Sequence, residues 1–139
     1  MTGAGEAKQM LGVIWAAMLA AVATYAAVAF LIIDEIEAPV AESPAWLRYA
    51  FSAFAVLLGG LSLWWRRRLF AAGTITPEQQ RTHAIVIWAL CEAVALCGFV
   101  LGFVTHDFDE FSPFALAAAA LLILHRPANL PRQAGAETA

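Results

Sequence analysis

The sequence predicts an all-α protein, a four-transmembrane-helix bundle, and two observations carry this prediction. The chain has 139 residues, of which 62% are hydrophobic and only 14% are charged, and its mean hydropathy is +0.72. A soluble core of this size cannot bury so much apolar surface, so lipid must cover the remainder. The apolar residues are also gathered into long uninterrupted runs, as membrane-spanning helices require.

Three of these runs are long enough to cross roughly 30 Å of hydrocarbon. They cover residues 10–33, 46–65 and 84–105. A fourth run, at residues 113–126, would reach only ~20 Å as a helix, so we expect it to be shallow or buried against its neighbours. Ser112 and Pro113 at its start are typical of an N-cap followed by a proline in the first turn.

The four predicted spans leave no room for a soluble domain, so we interpret residues 1–126 as a single membrane domain. Residues 127–139 are small, polar and proline-bearing, and we expect a disordered cytoplasmic tail there. An internal two-helix duplication is a further hypothesis, because residues 13–16 and residues 86–89 share a Val-Ile-Trp-Ala sequence. Alanine-rich membrane helices also match one another by chance, so the pattern leaves the duplication open.

Charge placement predicts the orientation of the chain in the membrane. Every Lys and Arg except Arg48 falls on one side of the predicted bundle: Lys8, Arg66, Arg67, Arg68, Arg81, Arg126 and Arg132. The acidic residues of the first and third connections fall on the other side: Asp34, Glu35, Glu37, Glu42, Asp107, Asp109 and Glu110. The positive-inside rule therefore predicts a multi-pass protein of the inner (cytoplasmic) membrane with both termini in the cytoplasm.

The arginines of the second connection form a predicted basic loop on the cytoplasmic side, made of Arg66, Arg67, Arg68 and Arg81. Such clusters orient membrane proteins and contact anionic lipid headgroups. We therefore expect this loop to anchor the chain at the membrane surface.

Glu92 is the one acidic residue that falls deep inside a predicted span. An ionisable side chain at this depth costs about 2.5 kcal/mol or more, which makes it a functional candidate. Burial disfavours the charged form of a carboxyl group, and no Lys or Arg lies near the middle of a predicted span to pair with it. The sequence therefore predicts a proton-binding site at Glu92, the alternative being a protonated acid that only hydrogen-bonds between helices.

A stripe of small residues runs beside Glu92 at helical spacing and predicts a helix-packing interface. Its members are Cys91, Ala95, Gly98 and Gly102, and they include a GxxxG motif. Small residues let helix backbones approach closely in membranes, so we expect another helix to dock on this stripe. Glu92 then lies on the flank of the stripe, at a seam between helices.

The residues around Glu92 resemble a known family. The segment 89–100 is similar to the ion-carrying outer helix of subunit c, the rotor-ring proteolipid of F-type ATP synthases, in which a Glu-Ala dipeptide precedes a glycine six residues after the acid. Glu92, Ala93 and Gly98 match this pattern. The resemblance covers residues 76–105 and implies that Glu92 is the proton-binding acid, with Ala93 favouring protons over sodium ions.

The preceding connection adds to this resemblance, because residues 77–80 and Arg81 are similar to the polar cytoplasmic loop of that family. The chain differs from the family in two places. Cys97 stands where the family has a tyrosine, one residue before the glycine. The family's inner helix carries alternating glycines, whereas the second predicted span carries the large residues Phe51, Phe54, Trp64 and Trp65.

Three functions fit these features. The first is a small proteolipid, oligomeric or part of a larger membrane complex, whose Glu92 binds a proton. The second is a non-catalytic accessory or scaffold subunit, and the third is a small proton-coupled exporter. We expect the lipid bilayer, further copies of the chain or other membrane subunits as partners, and no nucleic acid.

No nucleotide-binding loop, catalytic triad or zinc spacing occurs in the sequence. We therefore expect a protein that is not an enzyme and that has no cofactor and no metal. His83 and His125 both fall at the cytoplasmic side of the predicted bundle. They leave a metal or haem site as a weaker hypothesis.

Overall fold

In the computed structural model, residues 3–33, 45–71 and 76–130 are described. Their secondary structure, in chain order, is α1 (Gly3–Ile32), α2 (Ala45–Ala71), α3 (Pro77–Thr105), α4 (Phe108–Leu124) and a 3-10 turn (Pro127–Asn129). These residues contain no β-strand. The prediction of an all-α, four-helix bundle is therefore confirmed.

The first three helices are long and apolar enough to cross a membrane. The candidate spans are Gln9–Ile32, Ala45–Ala71 and Glu78–Thr105. Helix α4 has 17 residues and reaches ~25 Å, which is less than the hydrocarbon thickness of a typical bilayer. The chain thus has the character of a small membrane protein. Its orientation and the identity of the membrane remain predictions.

Helix α4 begins at Phe108 rather than at Pro113, so the predicted N-cap was wrong. The carboxylate of Asp107 caps the helix and accepts a hydrogen bond of 2.9 Å from the Asp109 backbone N–H. Pro113 lies inside the helix and has no N–H to offer the Asp109 carbonyl. The Ser112 hydroxyl donates to that carbonyl instead, over 3.5 Å, which offsets part of the loss.

Helix α3 likewise begins earlier than predicted, at Pro77 rather than at residue 84. The Thr76 hydroxyl accepts from the Gln79 N–H, and the Gln79 side chain accepts from the Thr76 N–H. This capping box, followed by a proline in the first turn, satisfies the free donors of the helix start. Two polar turns are therefore helical where hydropathy alone predicts a connection.

The predicted disordered tail does not begin at Pro127. Residues Pro127–Asn129 form a 3-10 turn, and Leu130 after it is only 9% exposed. The Asn129 side chain closes the turn against α4, because its amide donates to the Leu124 carbonyl over 3.1 Å. The remainder of the tail and part of the charge pattern lie outside the described residues, namely residues 131–139, Asp34, Glu35, Glu37, Glu42 and Arg132.

Helix α3 is the central element of the bundle. Half of its span, 50%, is buried, compared with 11% of the α1 and α2 spans. The bulkiest fully buried side chains come from α3 and α4 and include Trp88, Phe111, Ile87, Leu101 and Leu122. The helices α1 and α2 therefore pack on an α3–α4 core and leave most of their apolar surface free for lipid.

The contacts between helices define two ends of the bundle. At one end Trp15 of α1 meets Leu122 of α4, and the last turns of α2 carry the arginines. We call this the basic end. At the other end Arg48 of α2 pairs with Glu110 of α4 over 3.1 Å, and we call this the acidic end.

Candidate functional site

Glu92 lies at the middle of the α3 span, near the midpoint of Glu78–Thr105. It is half-buried, on the side of α3 that faces α1. Ala89 and Leu96, one turn below and one turn above, are exposed. The acid therefore sits at the seam between α1 and α3, at the border between the bundle and its lipid-facing surface.

A tyrosine from α1 reaches this carboxyl group. The Tyr25 hydroxyl donates a hydrogen bond of 2.7 Å to Oε1 of Glu92. This distance lies in the range of strong O–H···O hydrogen bonds. Among the described residues Glu92 has no salt-bridge partner. Its hydrogen-bond partner is the Tyr25 hydroxyl.

Aromatic packing holds the tyrosine in place. The Tyr25 ring lies 5.8 Å from the ring of Phe99, at 44°, and Phe99 meets Phe111 edge-on at 6.2 Å. Phe111 on α4 is fully buried. A continuous aromatic contact thus runs from α4 through α3 to α1 and fixes the hydroxyl beside Glu92.

The pair can accept either protonation state of the acid. A tyrosine hydroxyl has one donor proton and two acceptor lone pairs. It can therefore donate to an ionised carboxylate, as drawn here, or accept a hydrogen bond from a protonated carboxyl group. Tyr25 therefore remains a hydrogen-bond partner of the carboxyl group whether Glu92 gains or loses a proton, which reduces the cost of a polar group in an apolar region.

The small-residue stripe is buried along its length, at Cys91, Ala95, Gly98 and Gly102. The helix that covers it at the glycines is α4 of the same chain. A Cβ at Gly98 would overlap the Cβ of Phe114, and one at Gly102 would lie 2.8 Å from the Cβ of Phe111. The two glycines therefore let α4 approach α3 closely.

The predicted basic loop is in fact helical. Because α2 continues to Ala71 and α3 begins at Pro77, Arg66, Arg67 and Arg68 lie in the last turns of α2. Arg81 lies in the first turns of α3. Two of these cations stack on aromatic rings of α2, Arg66 on Phe70 at 5.4 Å and Arg68 on Trp64 at 4.9 Å.

The basic end also holds a polar side chain, His125, whose burial the sequence did not predict. His125 is fully buried, and its carbonyl accepts 2.8 Å from the indole N–H of Trp88, which is also fully buried. The Trp15 indole donates to the Leu122 carbonyl, likewise over 2.8 Å. These two indoles satisfy carbonyls in the last turn of α4, which have no partner within the helix.

The hypothesis of a metal or haem between His83 and His125 has no support in the described part of the chain. No group of three or more His, Cys, Asp or Glu side chains is placed there to hold a metal ion. Each histidine instead contacts a residue of α2: His83 meets Trp65, and His125 meets Ser62. Cys91 and Cys97 are free, buried thiols.

Comparison of the chain with protein-family models, with curated proteins and with solved structures finds no match.

Proposed function

We propose that this chain is a small membrane proteolipid in which Glu92 reversibly binds a proton. The observation that supports the proposal is the 2.7 Å hydrogen bond from the Tyr25 hydroxyl to Glu92 at mid-span. A carboxyl group at this depth is costly and is a functional candidate by default. Its partner is a hydroxyl that can hydrogen-bond to the carboxyl group in both protonation states. An acid that was always ionised or always neutral would not need such a partner.

The likeness to subunit c agrees with this proposal and is itself part of it. In that family a tyrosine stands near the acid on the same helix, at the position that Cys97 occupies here. In this chain a tyrosine hydroxyl reaches Glu92 from α1 instead. On this proposal Tyr25 takes the place of the missing tyrosine, and the acid works at a seam within the chain, in an assembly with further copies or other membrane subunits.

A hydrophobic carbodiimide tests the proposal, because this reagent reacts with a protonated carboxyl group in an apolar setting. The purified chain in lipid vesicles is treated over a range of pH, and the modified residue is located by mass spectrometry. We expect modification at Glu92 that fades as the pH rises. The Glu92→Gln variant should lose the modification, and the matched variant Asp109→Asn, at an exposed acid, should keep it.

Two outcomes would overturn the proposal. One is an absence of modification at Glu92 at every pH. The other is a yield at Glu92 that does not change with pH, which would mean that the group does not titrate. In either case the acid serves as a hydrogen-bonding contact between α1 and α3, and the scaffold function becomes the better hypothesis.

A further inference from the structure

Helix α2 is attached to the bundle along one narrow seam. Its fully or nearly buried residues are Ala55, Ser62 and Leu69, one every second turn, and two of these three side chains are small. Only 11% of the α2 span is buried. Phe51, Leu58 and Trp65 pack against the core along the same seam, and two polar contacts with α3 and α4 add to it.

The first of these contacts requires a neutral histidine. The indole N–H of Trp65 donates to Nδ1 of His83 over 3.0 Å, and the rings lie 5.9 Å apart. Tryptophan has a donor and no acceptor, so Nδ1 must carry the lone pair and the proton must be on Nε2. A second proton, at Nδ1, would place two donors face to face and break this bond.

At the second contact, too, a second proton on the histidine is unfavourable. The Ser62 hydroxyl donates its one proton to the Gly59 carbonyl over 2.7 Å. The 3.4 Å contact with Nε2 of His125 therefore has the imidazole as donor. Nδ1 of His125 is then a lone pair, and it is buried without a hydrogen-bond partner. Protonation there would create a charged N–H with no acceptor in a fully buried site.

Neighbouring groups increase this cost. Arg66 of α2 is the cation that acts on His125, and a second positive charge beside it is unfavourable. From α3 the titratable neighbour is the Cys91 thiol, which contacts Ser62, and α1 contributes the uncharged indole of Trp15.

We propose that His83 and His125 form a proton-sensitive latch that holds α2 against α3 and α4 while both imidazoles are neutral. The unperturbed pKa of a histidine side chain is about 6.5. The docked arrangement requires neutral imidazoles at both contacts, and departure of α2 removes this requirement. Docking therefore weakens as the pH falls below this value, because the released state binds more protons.

Cys91 is a built-in reporter for this motion. Its thiol is fully buried and contacts Ser62 of α2, so departure of α2 exposes it.

The probe is N-ethylmaleimide, which crosses membranes and reacts with thiols. The full chain in lipid vesicles carries Cys97→Ala, so that Cys91 alone reacts. The reactivity of any thiol decreases as the pH is lowered, because less thiolate is present. Each rate of Cys91 modification is therefore divided by the rate measured for a matched variant at the same pH.

The matched variant is His83→Asn combined with His125→Gln. The Asn oxygen takes the place of Nδ1 as acceptor for Trp65, and the Gln amide takes the place of Nε2 as donor to Ser62. Neither amide titrates, so this variant keeps the latch closed. We expect a rate ratio near one at neutral pH that rises about tenfold at a pH near 5, in line with the loss of the hydrogen bond between Trp65 and His83 and the cost of an unpaired N–H at His125.

Four further variants make the test decisive. His106→Asn, at the acidic end, should show the same rise of the rate ratio at low pH as the Cys97→Ala chain that keeps all its histidines. Glu92→Gln should show this rise as well. Each single latch variant should give an intermediate ratio. A ratio that stays near one at low pH would overturn the latch. So would loss of the response in Glu92→Gln, which would assign it to the acid instead.

Discussion

The hydroxyl of Tyr25 donates a 2.7 Å hydrogen bond to Oε1 of Glu92, although the two residues are 67 positions apart in the chain. This bond joins two helices, α1 and α3, each long and apolar enough to cross a membrane. It gives the acid at mid-span a partner that can either donate or accept. The account of function depends on this pair more than on any other contact.

Removal of the tyrosine hydroxyl should make Glu92 harder to ionise. A donated hydrogen bond favours the charged form of a carboxyl group, so Tyr25→Phe should shift carbodiimide modification of Glu92 toward higher pH. The ring remains and keeps its contact with Phe99, so the fold should be preserved. Tyr49→Phe, at a side chain that is 75% exposed, is the control. An unchanged pH profile in Tyr25→Phe would show that the hydroxyl does not act on Glu92.

The close approach of α4 to α3 depends on Gly98. Even a methyl group there would overlap Phe114, so Gly98→Ala should lower the free energy of unfolding in detergent by about 1–3 kcal/mol or more. Gly60→Ala is the matched control, because a Cβ at Gly60 meets nothing within 4 Å. Since alanine is the better helix former, Gly60→Ala should be neutral or stabilising. Equal stability of the two variants would contradict this packing.

Trp88 should be the most sensitive tryptophan of the chain. It is fully buried, and its indole N–H donates to the His125 carbonyl over 2.8 Å. Trp88→Phe leaves that carbonyl unpaired and should cost about 1–3 kcal/mol, measured by thermal unfolding in detergent. Trp46→Phe, at a side chain that is 65% exposed, should have little effect. Similar losses in both variants would mean that the buried bond contributes nothing.

The orientation of the chain can be tested by single cysteines that react with an impermeant reagent. Cysteines at Thr76 or Glu78, at the start of α3, should react only from the cytoplasmic side. A cysteine at Asp109, at the start of α4, should react only from the outside. These expectations follow from the distribution of arginines. The opposite pattern would invert the bundle and would also remove the agreement with the orientation of subunit c.

Hydropathy predicted the helices well and their ends poorly. Long apolar runs identify α1, α2 and α3 because lipid imposes one requirement on the whole length of a span. Helix ends depend on local hydrogen bonds instead. Asp107 caps α4 in preference to Ser112, and the capping box of Thr76 and Gln79 carries α3 into a polar segment. Neither choice follows from hydropathy.

The candidate site was predicted in part. Glu92 stands out because a lone acid in an apolar span is costly, and this can be seen in the sequence. Tyr25 cannot be found in this way, since it is an ordinary residue of an apolar helix until the packing of α1 on α3 is known. The same holds for His125, whose burial depends on how α2, α3 and α4 meet.

Infrared difference spectroscopy over a pH titration tests the central claim most directly, because it observes the carbonyl stretch of protonated carboxyl groups in the intact protein in lipid. We expect one band that belongs to an acid in an apolar setting, that disappears as the pH rises and that is missing in Glu92→Gln. The band should also move in frequency in Tyr25→Phe, where its hydrogen bond is lost. A spectrum of Glu92 that shows a single protonation state across the whole titration would contradict the claim that this residue binds and releases a proton.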